Sequence, residues 1–494
     1  MLAVSCAVTA LSAALAAPPQ FAIEFDASVT DRPYTGRVYI VTADSGSQDP
    51  LAAINWFDPQ PFFAQDVKNW QPGDTLRFDP GRCLGYPNNL DRLPAGRYRA
   101  RAVIDLNGWS HDVIAAPGNG ISDVVTFTHD HDRPPAVLFK IDTKLPPPRL
   151  IDTDDVKYIR FKSQRLSAFH GKDVHMLAAV GLPEAYRDDK RREFPAVYAI
   201  SGFGGTIRDG FFLSMMAGLL QSADFDAVVV LLDADCPTGH HVFADSANNG
   251  PCGTALVREL IPHLEERFRL IKRQDARFVT GASSGGWSSL WLQITYPDVF
   301  GGVWCMSPDP VDFSTFQHVD IYAPYANFFY DASGNLRQLS RAGLFGKAIL
   351  THDFDRMECV LGRGGQLYSF NAVFSPRGAD GRPMSLWDHR TGKVEPRVAK
   401  AWEAYDIRRI IDSNWKSLEP KLRGKLHLFC GDRDDFFLEQ PFNKLRETLE
   451  RLGSDAHIEV VPYAGHMLPP MTWLRAARQM KTRFEATDRA SGKP

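Results

Sequence analysis

The pattern of apolar and polar positions changes character once along the chain. From Phe21 to about Pro135 the apolar runs are short and rich in β-branched and aromatic residues. Examples are Arg37-Val38-Tyr39-Ile40-Val41-Thr42, Tyr98-Arg99-Ala100-Arg101-Ala102-Val103 and Val124-Val125-Thr126-Phe127. Turn-forming clusters such as Gln71-Pro72-Gly73-Asp74 and Leu93-Pro94-Ala95-Gly96 separate them. Strands at that spacing predict a small all-β sandwich over residues 20–135. Pro146-Pro147-Pro148 then reads as a stiff connector.

Past the prolines, strand-like runs alternate with amphipathic helices, which predicts an α/β domain with a mostly parallel, doubly wound sheet over residues 150–488. The strand candidates are Ala196–Ile200, Ala227–Leu232, Arg277–Thr280, Gly302–Cys305 and Leu426–Cys430. Their near-continuous hydrophobicity suits strands covered on both faces. Between the second and third, Val257, Leu260, Ile261, Leu264 and Phe268 form one stripe at helical spacing, predicting a helix over Thr254–Phe268 whose apolar face packs. Residues 312–421 are less regular and rich in aromatics, with short helical pieces such as Val398–Ile411. Lying between two sheet strands, they read as an insertion over the carboxyl edge of the sheet, where caps shape binding clefts.

Composition narrows the class. A length of 494 residues predicts two or three domains, and 44% hydrophobic with 23% charged residues is a globular composition. With 56 Lys+Arg against 59 Asp+Glu, the chain has no electrostatic footprint for nucleic acid. Met1–Ala17 is apolar and ends in Ala14-Leu15-Ala16-Ala17, a signal-peptidase type of site, although no Lys or Arg precedes Arg32. It predicts a cleaved secretory signal and an exported protein, and no later segment looks transmembrane. The 7 cysteines are too few for a disulfide scaffold. Cys305 and Cys430 read as core thiols, whereas Cys236 and Cys252 flank one loop and are a possible pair after export. No C-x-x-C spacing supports zinc, and His129-Asp130-His131-Asp132 reads as a solvated strand end before it reads as a metal site.

The chemistry centres on Gly281-Ala282-Ser283-Ser284-Gly285. A bare G-x-S-x-G is weak, but here a strand leads in and a helix, Gly286–Thr295, leads out. That is the context of a nucleophile elbow: glycines are needed where side chains would clash with the neighbouring strand and helix. The helix amino end also favours developing negative charge. A serine hydroxyl needs a base. His466, after the β-run His457–Val461 and before a closing helix, stands where the last member of a Ser, acid, His order belongs. Gly431-Asp432-Arg433-Asp434-Asp435 supplies the acid. The G-x-x-D spacing selects Asp434, with Asp435 next and Asp309, after the preceding strand, as an outside alternative. The oxyanion donors are expected to be the backbone N–H groups of Phe203, in the loop Ser201-Gly202-Phe203-Gly204-Gly205, and of Ser284. The polar loop Gly239–Gly250 is expected to offer His241, Asp245 and Asn248 to substrate; the alternative is a self-bonded turn.

On these residues the chain resembles the putative-esterase family of α/β hydrolases, which includes S-formylglutathione hydrolases, feruloyl and acetyl xylan esterases, enterochelin-type esterases and mycolyl transferases. The likeness runs from about Asp152 to Phe484. It is most specific at Phe194–Gly205, at Phe278–Pro308, which includes Tyr296-Pro297-Asp298-Val299-Phe300-Gly301, and at Gly431–Phe437. It implies an α/β-hydrolase fold, the roles already read for Ser283, Asp434 and His466, and no metal or organic cofactor. The β-rich region resembles the amino-terminal β-sandwich of enterochelin-type esterases in architecture alone. The expected activity is hydrolysis of a carboxylic ester, on a polysaccharide or a secondary metabolite. Acyl transfer to an alcohol uses the same residues, and a secreted binding protein with an inactive hydrolase domain is the reading from another class.

Overall fold

The computed structural model describes residues 17–490, except 45, 47, 48, 209 and 343–345. Residues 1–16 of the expected signal, with Cys6, lie outside the described residues. The chain divides into two compact units. One holds the described part of Met1–Asn107 together with Ile114–Pro146; the other holds Gly108–Val113 and the chain from Pro147 onward. Among the described residues no helix is long and apolar enough to cross a membrane.

The first unit is all-β. Its nine strands are joined by hydrogen bonds into one sheet rather than into two separate ones. Alternation along each strand sends one set of side chains to a common core. In Gly96–Ile104, Tyr98, Ala100, Ala102 and Ile104 are buried while Arg97 and Arg99 are not. The last strand, Ala136–Lys144, starts past the expected limit at residue 135 and pairs parallel with Gln20–Phe25. Val137, Phe139 and Ile141 point into the same core as Phe21, Ile23 and Phe25, so this sheet needs residues to 144. Phe21 meets Phe127 and Phe139 edge-on at centroid separations of 5.5 and 5.7 Å.

The second unit is α/β. Its eight-stranded sheet contains β1 (Val156–Ser163), β2 (Val174–Gly181), β3 (Ala196–Ile200), β4 (Val228–Leu232), β5 (Arg277–Ser283), β6 (Gly302–Pro308), β7 (Leu426–Gly431) and β8 (His457–Val461). The order is β1-β2-β4-β3-β5-β6-β7-β8. Strand β2 runs antiparallel to both neighbours, and every pairing from β4 to β8 is parallel. Strands β3 and β4 are buried at every position, as sheet strands covered on both faces require. Helices α1 (Gly210–Ser222) and α5 (Pro470–Ala490) cover one face, where Leu213, Met216, Leu220, Trp473, Ala476 and Met480 join the sheet's Val197, Val229, Phe278 and Trp304 in one core. The helix expected over Thr254–Phe268 is present from Cys252 to Arg267 and contains a π-helical turn at Leu256–Leu260.

Between β6 and β7 the chain forms helices α3 (Thr351–Leu361) and α4 (Gln366–Phe374), two further helices at Pro396–Trp402 and Ile407–Leu422, and a short hairpin. The piece expected as one helix over Val398–Ile411 is broken: Asp406 accepts the Arg409 N–H at 3.0 Å and starts a new helix. The aromatics of this segment make their own core, in which Phe374 contacts Phe313, Phe370 and Trp402.

Candidate active site

The parallel strands end on one edge, and four of them deliver the candidate residues there. Ser283 closes β5 and caps helix α2 (Ser284–Thr295), with φ 58° and ψ −125°. A non-glycine residue at positive φ is strained and persists only where its surroundings over-determine it. The flanking glycines show what holds it. A Cβ on Gly285 would come within 2.6 Å of the Ser201 carbonyl oxygen, and one on Gly281 within 2.6 Å of the Ile200 carbonyl oxygen. The strand and helix can therefore approach β3 only because both positions lack a side chain. A Cβ on Gly202 would lie 3.3 Å from that of Ser283, so the loop after β3 passes directly over the serine.

His466, in the loop after β8, is 15% exposed at its side chain, and its Nδ1 lies 2.8 Å from Asp434 Oδ2. Asp434 is fully buried and its Oδ1 accepts the Phe436 N–H at 2.8 Å. Asp435 instead accepts the backbone N–H of His466 at 2.9 Å, so the two neighbouring aspartates hold the ring and the backbone of one histidine. Arg341 braces this loop: its backbone N–H donates to the Asp435 carbonyl, its guanidinium donates to the Asp434 carbonyl, and it pairs with Glu439. Burial opposes charge on His466, but the carboxylates of Asp434, Asp309 and Asp435 outweigh it and hold its pKa above the ordinary value.

Asp309, set aside as an alternative acid, sits beside the serine rather than behind the histidine. Its backbone N–H donates to the Ser283 carbonyl at 3.1 Å, and its carboxylate accepts the Ser283 hydroxyl at 3.3 Å and the Ser284 hydroxyl at 2.5 Å. Gln366, at the start of α4, adds an N–H to the same carboxylate at 3.3 Å. Burial pushes the Asp309 pKa up against these hydrogen bonds. The Ser283 hydroxyl is thus bonded to Asp309, not to His466. Sequence reasoning missed Gln366, because a glutamine opening a helix in an inserted segment carries no local mark.

The loop Ser201–Gly205, where the oxyanion donor Phe203 is expected, is held by histidines. His240 Nδ1 accepts the Val242 N–H at 3.1 Å, which leaves Nε2 to donate to the Ser201 carbonyl at 3.1 Å. Burial drives the His240 pKa down to about 3, so this imidazole is neutral. Phe203 packs edge-on against His111 at 5.2 Å. His111 Nδ1 is 2.7 Å from Asp235 Oδ1, and Ser110 donates to Asp235 Oδ2 at 2.9 Å. His111 comes from Gly108–Val113, far from β3 in sequence, and nothing in its neighbourhood along the chain announces this place.

The three residues expected to meet substrate each make hydrogen bonds within the protein. His241 is buried and its Nδ1 accepts the Phe243 N–H at 3.1 Å. Asp245 accepts from the Thr254 N–H at 2.9 Å and from the Thr254 hydroxyl. Asn248 is buried and donates to the carbonyls of Ala372 and Ser375 at 3.0 and 2.9 Å, tying its loop to α4. Two short hairpins, Asp235–His240 and Asp245–Pro251, shape this stretch, and intramolecular bonds of this kind are what a self-bonded turn makes. Cys236 and Cys252 are separate buried thiols, and the His129–Asp132 cluster brings no three metal-ligating side chains together among the described residues.

Strand order, elbow and His–Asp pair together define the α/β-hydrolase class. Within it, the model of the family described as "Putative esterase" matches residues 172–465, and the chain belongs to this family of ester hydrolases. No curated protein matches the chain in sequence. Among solved structures, a ferulic acid esterase shares 15% identity, with 67% of this chain and 98% of that chain covered and a TM-score of 0.42. A fluorophosphonate-binding serine hydrolase F of Staphylococcus aureus shares 14%, covering 67% and 98% with a TM-score of 0.40. An S-formylglutathione hydrolase from Agrobacterium tumefaciens shares 14%, covering 67% and 94% with a TM-score of 0.39.

Proposed function

We propose that the chain is a serine carboxylic ester hydrolase that works through an acyl-enzyme on Ser283. The observation that carries the reading is the 2.8 Å bond from His466 Nδ1 to a fully buried Asp434, at the same sheet edge as a serine held at φ 58°. The carboxylate fixes the imidazole with Nε2 facing away from it, and stabilises the imidazolium that forms. Ser283 turns from Asp309 to His466, loses its proton to Nε2 and attacks the ester carbonyl. The N–H groups of Phe203 and Ser284 receive the developing oxyanion. His466 then protonates the leaving alcohol, and water, activated by the same imidazole, releases the acid.

The substrate we infer is an ester of a polysaccharide or secondary metabolite met outside the cytoplasm. The apolar Met1–Ala17 supports export. The test is hydrolysis of p-nitrophenyl acetate and butyrate by the purified chain beside Ser283→Ala, with fluorophosphonate labelling of both. A loss of at least about 10³-fold and of the label in the variant is expected. Equal activity in the two proteins, or an unlabelled wild type with no activity, overturns the reading.

A further inference from the structure

The segment between β6 and β7 holds a second group of ligating side chains that the ester chemistry does not use. Asp355 and Cys359 lie one turn apart on α3, so they share a face, and His389 arrives from the loop beyond α4. One ligand atom from each of the three lies within 4.8 Å of the other two. We propose that Asp355, Cys359 and His389 form a zinc-binding site, with water completing the tetrahedron.

The donor set suits that ion. One thiolate, one imidazole and one carboxylate are all zinc ligands, and bond lengths of about 2.0–2.3 Å put neighbouring ligands about 3.3–3.8 Å apart. Asp355 Oδ2 lies 3.1 Å from His389 Nδ1 and 3.9 Å from Cys359 Sγ. Closing the trio on an ion therefore needs movements of about an ångström or less.

The surrounding hydrogen bonds orient each ligand. Ser385 donates its hydroxyl to the Trp387 carbonyl at 2.6 Å, so at its 3.2 Å contact with His389 it accepts from Nε2–H. That leaves Nδ1 as the nitrogen that can ligate. The indole N–H of Trp387 holds Asp355 Oδ1 at 2.9 Å, while His389 Nδ1 lies 2.9 Å from Oδ1 and 3.1 Å from Oδ2 and Cys359 Sγ faces Oδ2. Outer partners of this kind fix tautomer and ring orientation at metal sites. Asp355 is buried, with a side chain 2% exposed, whereas His389 is 46% exposed. The ion therefore has a route in and a place for water.

Binding exchanges protons for metal. Zinc takes the thiolate of Cys359 and the unprotonated Nδ1 of His389 as ligands, so acid competes with the metal. It also staples α3 to the loop that follows α4.

The test uses the full chain stripped with a chelator and desalted, then exposed to zinc chloride. Among the described residues Cys359 is the exposed cysteine, and the others are buried. Alkylation of Cys359 by iodoacetamide, followed by peptide mass spectrometry, reports directly on the site. We expect equimolar zinc at about 10 µM to slow alkylation of wild type at least tenfold, with one zinc per chain retained after desalting. His389→Ala and Asp355→Asn should each lose both the protection and the retained zinc. Circular dichroism and p-nitrophenyl ester turnover check that the variants are folded, and Cys359→Ser tests stoichiometry should either fail to fold. Alkylation unaffected by zinc, or zinc retained equally by the variants, overturns the proposal.

Discussion

Two imidazole–carboxylate pairs in the second unit are nearly alike in themselves. His466 Nδ1 lies 2.8 Å from Asp434 and His389 Nδ1 lies 2.9 Å from Asp355, each with a buried carboxylate. Their neighbours differ. Around His466 stand a strained serine elbow and the buried Asp309; around His389 stand an exposed thiol and a solvent-facing ring. A histidine–aspartate pair is therefore no function in itself. In the roles proposed above, His466 uses the nitrogen that faces away from its carboxylate to take a hydroxyl proton, whereas His389 uses the nitrogen that faces its carboxylate to share a metal ion with it.

The sharpest way to break the comparison is to cut each pair. Asp434→Asn should lower kcat/KM on p-nitrophenyl acetate by about 10³–10⁴-fold, because the imidazole loses its tautomer and its counter-charge. Asp355→Asn should change the same constant by no more than about twofold, since it lies outside the reaction. Comparable losses in both variants would show that the pairs do not differ as argued.

A smaller effect concerns Asp309. Its charge helps raise the His466 pKa, so the base form of the enzyme appears only above the ordinary histidine value. Activity should fall as pH drops through that raised pKa. Asp309→Asn should move this acid limb to lower pH and change the plateau by about tenfold or less. A limb that stays in place would mean that Asp309 is uncharged over this range.

Smaller again are changes in the Gly239–Gly250 loop. Asn248→Ala removes two buried hydrogen bonds and should cost about 1–3 kcal/mol of stability in denaturant titration, with KM unchanged. A raised KM with unaltered stability would return this residue to the substrate site. A separate expected signal, in stability and not in activity, is acid sensitivity from buried imidazoles. Burial lowers the pKa of His240 to about 3 and of His241 to about 4. The unfolded chain takes up protons below about 6.5 while these folded-state rings do not, so stability should decline from pH 6.5 toward 4. Melting temperatures measured across that interval check it, and His241→Phe should flatten the slope.

Much of this was legible along the chain, and the reason is locality. A strand running into a helix through Gly281–Gly285 is set by a few consecutive residues, and so is the parallel-strand character of Ala196–Ile200 or Leu426–Gly431. Asp434 could be ranked above Asp435 from spacing, and the geometry gives the two different tasks on the same histidine. In the Gly239–Gly250 loop the sequence leaves both readings open, because polar side chains look the same whether they serve a ligand or the protein's own groups. Only the positions of Phe243, Thr254, Ala372 and Ser375 distinguish the two.

The sequence alone determined the order of elements, the elbow and the identity of the residues that close it, since each depends on short-range sterics and hydrophobic period. Tertiary structure decided what no window of sequence contains. It set Asp309 and Gln366 beside Ser283 and Ser284, and His111 with Asp235 against Phe203. It also drew Asp355, Cys359 and His389 to one point. The physical reason is that such contacts join residues tens to more than a hundred positions apart, and packing of the whole sheet and its insertion is what brings them together.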